Sequence, residues 1–131
     1  MGQRYVHSVI FTGLVPDTIY SIEVKDSTGK ILKQAKYKTL PNQDASELKM
    51  AVGGDLGMTD EGIKITSFLS DFKPDVIVLG GDTTYDDGMR SCYHTWDEFY
   101  GMFEPVYDKV DRLIPIIMSV GNHDVGFDAL S

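Results

Sequence analysis

Three stretches of this chain share one design: a short apolar run, then glycine, then a side chain rich in lone pairs. They are LKMAVGGDLG at residues 48–57, DVIVLGGDTTY at 75–85 and LIPIIMSVGNHD at 113–124. Short continuous apolar runs bounded by turn signals read as strands buried on both faces, the mark of a parallel sheet. Between the first two, Ile65, Phe68, Leu69 and Phe72 recur at i, i+3, i+4 and i+7, with Thr59 or Asp60 as N-cap and Pro74 just beyond the end. Between the second and third, Trp96, Phe99, Tyr100 and Phe103 form another helical stripe, read as core, and a short further helix is expected over 105–111. Strands separated by helices predict β-α-β units, an α/β fold class, and a sheet with helices on both faces.

Such a sheet decides where a ligand sits. The carboxyl ends of neighbouring parallel strands converge on one crevice, so Asp55, Asp82 and Asn122 are expected at a common edge although they are far apart in sequence. Carboxylate, amide oxygen, phenol and imidazole together suit hard or borderline cations such as iron, manganese and zinc. Two ions about 3.5–4 Å apart, sharing a carboxylate, can clamp an in-line displacement at phosphorus. Each residue also has a plainer reading. A Gly-Asp after a strand is commonly a turn whose acid caps the next helix; Asn122 would serve as a left-handed turn residue, His123 as a surface histidine and Tyr85 as a packing residue. Asp86, Asp87 and Asp128 read as solvated charges.

Charge narrows the partners. With 20 acidic residues against 12 basic ones, a formal charge of −8 and no basic run, the chain is not expected to bind nucleic acid or an anionic membrane surface. No apolar stretch reaches the roughly 18–20 residues that span a bilayer. The single cysteine, Cys92, excludes an intrachain disulfide and supplies no cysteine-based zinc site alone. At 131 residues, 42% of them hydrophobic, at most one ordinary domain fits.

The polar stretch PNQDASE at 41–47 divides the chain. Upstream, Tyr5–Phe11 and Ile19–Val24 are β-rich, and after the turn DSTGK a third run ends near Thr39. In GLVPDTIY the order Leu14, Pro16, Tyr20 resembles the tyrosine corner of a fibronectin type III-like sandwich, in which the phenol ties its strand to the preceding turn. Three strands fall short of the about seven such a sandwich needs, so this part reads as the last third of one, with exposed edges.

In order and spacing, Asp55 in GDLG, Asp82 and Tyr85 in GDTTY, and Asn122 with His123 in GNHD resemble the first three signature blocks of the calcineurin-like metallophosphoesterases. The tyrosine three residues after Asp82 is similar to the mark of the purple acid phosphatases among them, and WDEFYGMFEPV also looks familial. The resemblance runs from about residue 8 to 124. It implies half of a metallophosphoesterase β-α-β sandwich over 47–131, preceded by a partial fibronectin type III-like β-sandwich over 1–42. It implies a ferric ion on Asp55 and Tyr85, a bridging Asp82, and a divalent ion (iron, zinc or manganese) on Asn122. His123 would contact the phosphate and protonate the leaving alkoxide, and Asp124 would orient His123 as the second catalytic residue. The implied activity is acid hydrolysis of phosphate monoesters in a secreted, lysosomal or vacuolar setting, with a homodimer for the full-length protein.

The family completes its site with Val-x-x-His and Gly-His-x-His. After Asp124 come VGFDALS, with no histidine, and His7 and His94 match no family ligand. The chain is therefore expected to be an incomplete fragment, inactive or nearly so alone. Two readings stay beside the phosphomonoesterase: another metallophosphoesterase, such as a phosphodiesterase in which Tyr85 is no ligand, and a non-catalytic acidic binding fragment.

Overall fold

The computed structural model of the chain describes residues 5–45, 47–85 and 93–124, the side chain of Tyr93 excepted. Cys92, Asp86, Asp87 and Asp128 lie outside these residues. The fold is mixed α/β, with a two-stranded and a three-stranded sheet.

Strands β1 (Ile19–Lys25) and β2 (Ile31–Lys38) pair antiparallel, from Ile19 opposite Lys38 to Lys25 opposite Ile31. The turn between them is built by Asp26, whose Oδ1 accepts from the main-chain N–H of Thr28 (2.8 Å) and Lys30 (3.1 Å), while Gly29 supplies φ +85°. The Tyr20 hydroxyl accepts a 2.9 Å bond from the Val15 N–H, tying β1 to the turn before it. The strand expected over Tyr5–Phe11 does not form among the described residues, and Val6 is 99% exposed. β-rich composition reflects a preference for a pleated, half-buried surface. Here no strand among the described residues pairs with that segment.

Strands β3 (Met50–Gly53), β4 (Val76–Leu79) and β5 (Ile116–Met118) form a parallel sheet in the order β3-β4-β5. Met50 pairs with Val76, and Ile77 with Ile116. Helices α1 (Asp60–Ser67) and α2 (Leu69–Phe72) connect β3 to β4, while α3 (Tyr93–Gly101) and α4 (Glu104–Val110) precede β5. The core is Ile77, Leu79, Phe99, Phe103, Val106 and Ile114, with Ala51, Ile116 and Met118 packed against it. These strand residues alternate and so share one face. On the other, Val52 is 73% and Ile117 58% exposed. The helices that pack on this core thus lie on one face, not the expected two, although on the other face the central-strand Val76 is still 3% exposed. Strand order explains this: it advances in a single direction, so crossovers of one hand place every connecting helix on the same side.

The first helix differs from its sequence pattern in a second way. Thr59 caps it as expected, accepting from the Gly62 N–H at 3.1 Å. The buried face, however, carries Gly62, Thr66 and, in α2, Ser70, while Ile65, Phe68 and Phe72 are exposed. A Cβ on Gly62 would lie 2.6 Å from the Leu56 carbonyl oxygen and 2.7 Å from that of Gly57. Small residues let this face approach the loop backbone closely, and that approach outweighs the apolar stripe.

The hairpin meets the parallel sheet through β2. Leu113 N–H donates to the Lys36 carbonyl at 2.7 Å, Lys36 pairs with Asp111, and Lys38 bridges Asp17 (2.5 Å) and Asp75 (3.3 Å). No helix among the described residues is long and apolar enough to cross a membrane.

Candidate functional site

Parallel pairing puts the carboxyl ends of β3, β4 and β5 on one edge, and the loops leaving them carry the candidate residues. Asp55 follows β3, Asp82 and Tyr85 follow β4, and Asn122, His123 and Asp124 form a 3-10 turn after β5. Main-chain bonds extend the ladder into the loops: Gly80 N–H to Gly53 O at 2.7 Å, Asp55 N–H to Gly81 O at 3.2 Å, and Ser119 N–H to Leu79 O at 3.0 Å. Six non-glycine residues in the described chain have positive φ, and three are Asp55 (+49°), Asp82 (+51°) and Tyr85 (+50°). Lys73 and Asp111 have the ordinary reason of closing helices α2 and α4. For Asp55, Asp82 and Tyr85, a conformation costing about 1–3 kcal/mol each persists only where the surroundings over-determine it, as at functional sites.

Two glycines bring the β4 and β5 loops together. A Cβ on Gly81, itself at φ +103°, would lie 2.8 Å from the Gly121 nitrogen, and a Cβ on Gly121 would fall on the Asp82 carboxylate. With both side chains absent, His123 N–H donates to Asp82 Oδ1 at 3.0 Å. Asp124 Oδ1 accepts from the N–H groups of Thr83 and Thr84, both at 2.9 Å, and its Oδ2 from Gly121 N–H at 3.0 Å. Burial alone pushes the Asp124 carboxyl up, but these donors outweigh it and hold it below the ordinary carboxylate value. The Tyr85 ring stacks on the His123 imidazole with centroids 4.9 Å apart and planes 22° from parallel. The Tyr85 phenol is pushed up, first by burial and then by the charges of Asp55, Asp82 and Asp124.

Residues 48–131 match the family model of the calcineurin-like phosphoesterases. The chain belongs to that family. Among its curated relatives, purple acid phosphatase 23 of Arabidopsis thaliana is 27% identical over 144 aligned positions, covering 92% of this chain and 31% of the relative. Purple acid phosphatase 15 of the same plant is 27% identical over 143 positions, covering 95% and 27%. Purple acid phosphatase 22 is 31% identical over 91 positions, covering 70% and 19%. The chain thus spans less than a third of the length of these relatives.

In this member of the calcineurin-like phosphoesterase family the loops at one sheet edge carry two aspartates, a phenol and an amide. Asp55 and Asn122 are exposed, while Asp82, Tyr85 and His123 are half-buried. All four donors are oxygens of the kind hard cations take, and the carboxylates around Tyr85 make a local negative field that a cation would relieve. This donor set fits part of a metal site. Among the described residues, His, Cys, Asp and Glu nowhere come three together in a group able to hold an ion. Thr83 and Thr84, both buried, are not singled out by the sequence pattern. Their only signal was two adjacent hydroxyl residues behind the motif aspartate; their donors serve Asp124, whose partner loop lies about forty residues away in sequence.

Proposed function

We propose that residues 47–131 are the N-terminal part of the catalytic domain of an acid phosphatase that hydrolyses phosphate monoesters at a dinuclear centre, one ferric ion with one divalent ion of iron, zinc or manganese. The observation that carries this reading is the convergence of Asp55, Asp82, Tyr85 and Asn122 on one sheet edge, three of them in left-handed backbone. Relatives all named purple acid phosphatase support it. Asp55 and Tyr85 would hold the ferric ion, Asp82 would be shared, and Asn122 would hold the divalent ion, with histidines from elsewhere in the full-length protein completing both. Such a pair, when bound, supplies Lewis-acid activation of water and neutralises charge on the phosphoryl group.

The chain's own groups do the rest. His123, braced by the Tyr85 ring and held by its N–H on Asp82, would hydrogen-bond the phosphate and give a proton to the leaving oxygen. Residues 1–42 are read as the end of a fibronectin type III-like domain, supported by the Tyr20 hydroxyl on the Val15 N–H. A secreted or vacuolar setting and a homodimer belong to the same reading. The test is the full-length protein loaded with iron: p-nitrophenyl phosphate should be hydrolysed in acid, a visible band should appear, and Tyr85→Phe should bleach it. A colourless wild-type protein active only on diesters would favour a phosphodiesterase. No metal-dependent hydrolysis at all would leave a binding fragment.

A further inference from the structure

Among the described hydrogen bonds at the strand ends, five go to the Asp124 carboxylate, and all five come from the β4 and β5 loops. One oxygen takes the N–H groups of Thr83 and Thr84 at 2.9 Å each, together with the Thr83 hydroxyl at 3.1 Å and the Thr84 hydroxyl at 3.3 Å. The other takes Gly121 N–H at 3.0 Å. Thr83 and Thr84 are 1% and 0% exposed. Without the carboxylate, their N–H groups would be buried donors lacking an acceptor, an outcome folded proteins avoid. The threonines sit between Asp82 and Tyr85 on the β4 loop, whereas Gly121 and Asp124 flank Asn122 and His123 on the β5 loop.

We propose that Asp124 is a positioning residue whose carboxylate pins the β4 loop to the β5 loop, setting the spacing between Asp82 and Tyr85 on one side and Asn122 and His123 on the other. This rests on the metal-site reading above and adds to it. Carboxylate bonds to several main-chain N–H groups are short and directional. A two-ion site needs its ligands held to fractions of an ångström. At their closest approach the loops meet through Gly81 and Gly121, which add no side-chain packing, so beside the Tyr85–His123 stack and the His123 N–H on Asp82 it is the Asp124 carboxylate that makes the most bonds across the joint. The pin supplies what those glycines lack.

The test uses the metal-free full-length protein and its Asp124→Ala and Asp124→Asn variants. Hydrogen exchange by mass spectrometry should quicken in the segments around 82–85 and 119–124 together in the alanine variant, and less in the asparagine variant, which keeps one carbonyl acceptor. Affinity for zinc ion alone, by calorimetry, should fall tenfold or more in the alanine variant, the size seen when groups behind a ligand are removed. The pH dependence of turnover in the metal-loaded protein should keep its position. If zinc affinity is unchanged while the pH profile moves, Asp124 serves the His123 imidazole and the pin is wrong. If exchange changes in one segment only, the two loops are not joined through Asp124. Should the alanine variant not fold, the same measurements on Asp124→Asn decide. A wild-type protein that binds no zinc would remove the metal reading, and the exchange experiment would still judge whether the loops are pinned.

Discussion

At Asp55, Asp82 and Tyr85 the backbone stands where an L-residue is disfavoured, and in each case a neighbouring hydrogen bond or close approach holds it there. The Asp55 N–H is fixed on Gly81, and the Asp82 carboxylate sits under the His123 N–H in the space a Gly121 side chain would fill. The Tyr85 ring is stacked on the His123 imidazole. Gly62 shows the same dependence on close approach away from the site. In Gly62→Ala, helix propensity would favour alanine by up to about 1 kcal/mol. Against this, the new methyl meets two main-chain carbonyls at 2.6 and 2.7 Å, and neither can swing aside like a side chain. Overpacking of this kind costs roughly 1–3 kcal/mol. The expected result is a net loss of stability of that order, read as a lower urea midpoint at unchanged slope. A variant as stable as wild type would mean that the 56–57 loop yields.

Elements were legible in the sequence where their signal was local. The runs at 48–57, 75–85 and 113–124 give β3, β4 and β5; Thr59 gives the α1 cap and Pro105 the start of α4. What failed depended on partners. Tyr5–Phe11 has strand composition but no described neighbour to pair with, and the α1 stripe lost to a glycine contact with a loop. The strand-end residues of the candidate site were readable because parallel pairing alone aligns them, whereas the Asp124–threonine bonds depend on loop coordinates. The joint between hairpin and sheet was equally invisible. Burial pushes the Asp75 carboxyl up, but the Lys49 N–H, Lys38 and Arg112 outweigh it and hold the carboxyl below its ordinary 3.8. The folded form therefore binds this proton more weakly than the unfolded chain. The stabilisation is complete above 3.8 and is lost as the pH falls through the lower folded value. Asp75→Asn should be less stable than wild type near neutrality, and the gap should close in acid. Denaturation curves at the two extremes check this, and a gap that persists at low pH would place the stabilisation elsewhere.

For the whole molecule, the same one-directional strand order that lines up the candidate ligands leaves the edge-strand residues of the other sheet face exposed. Met50, Val52 and Ile117 project from that face, and Ile65, Phe68 and Phe72 from the outer side of α1 and α2. Strands β3 and β5 stand at the two ends of the three-stranded order, so each offers ladder groups beyond it. Exposed apolar side chains in these numbers favour association. Prepared as these 131 residues alone, the protein should therefore bind a hydrophobic dye and associate with rising concentration in sedimentation. With no three of its described His, Cys, Asp and Glu residues grouped as ligands, it should also hydrolyse p-nitrophenyl phosphate only at background. The paired change Val52→Thr, Ile117→Thr removes apolar atoms that are 73% and 58% exposed, so it should weaken association while leaving the unfolding midpoint nearly unmoved. Loss of the fold on that change would show the face to be internally packed, and strict monomer behaviour of the unmodified chain would show its apolar residues to be too scattered to act as one surface.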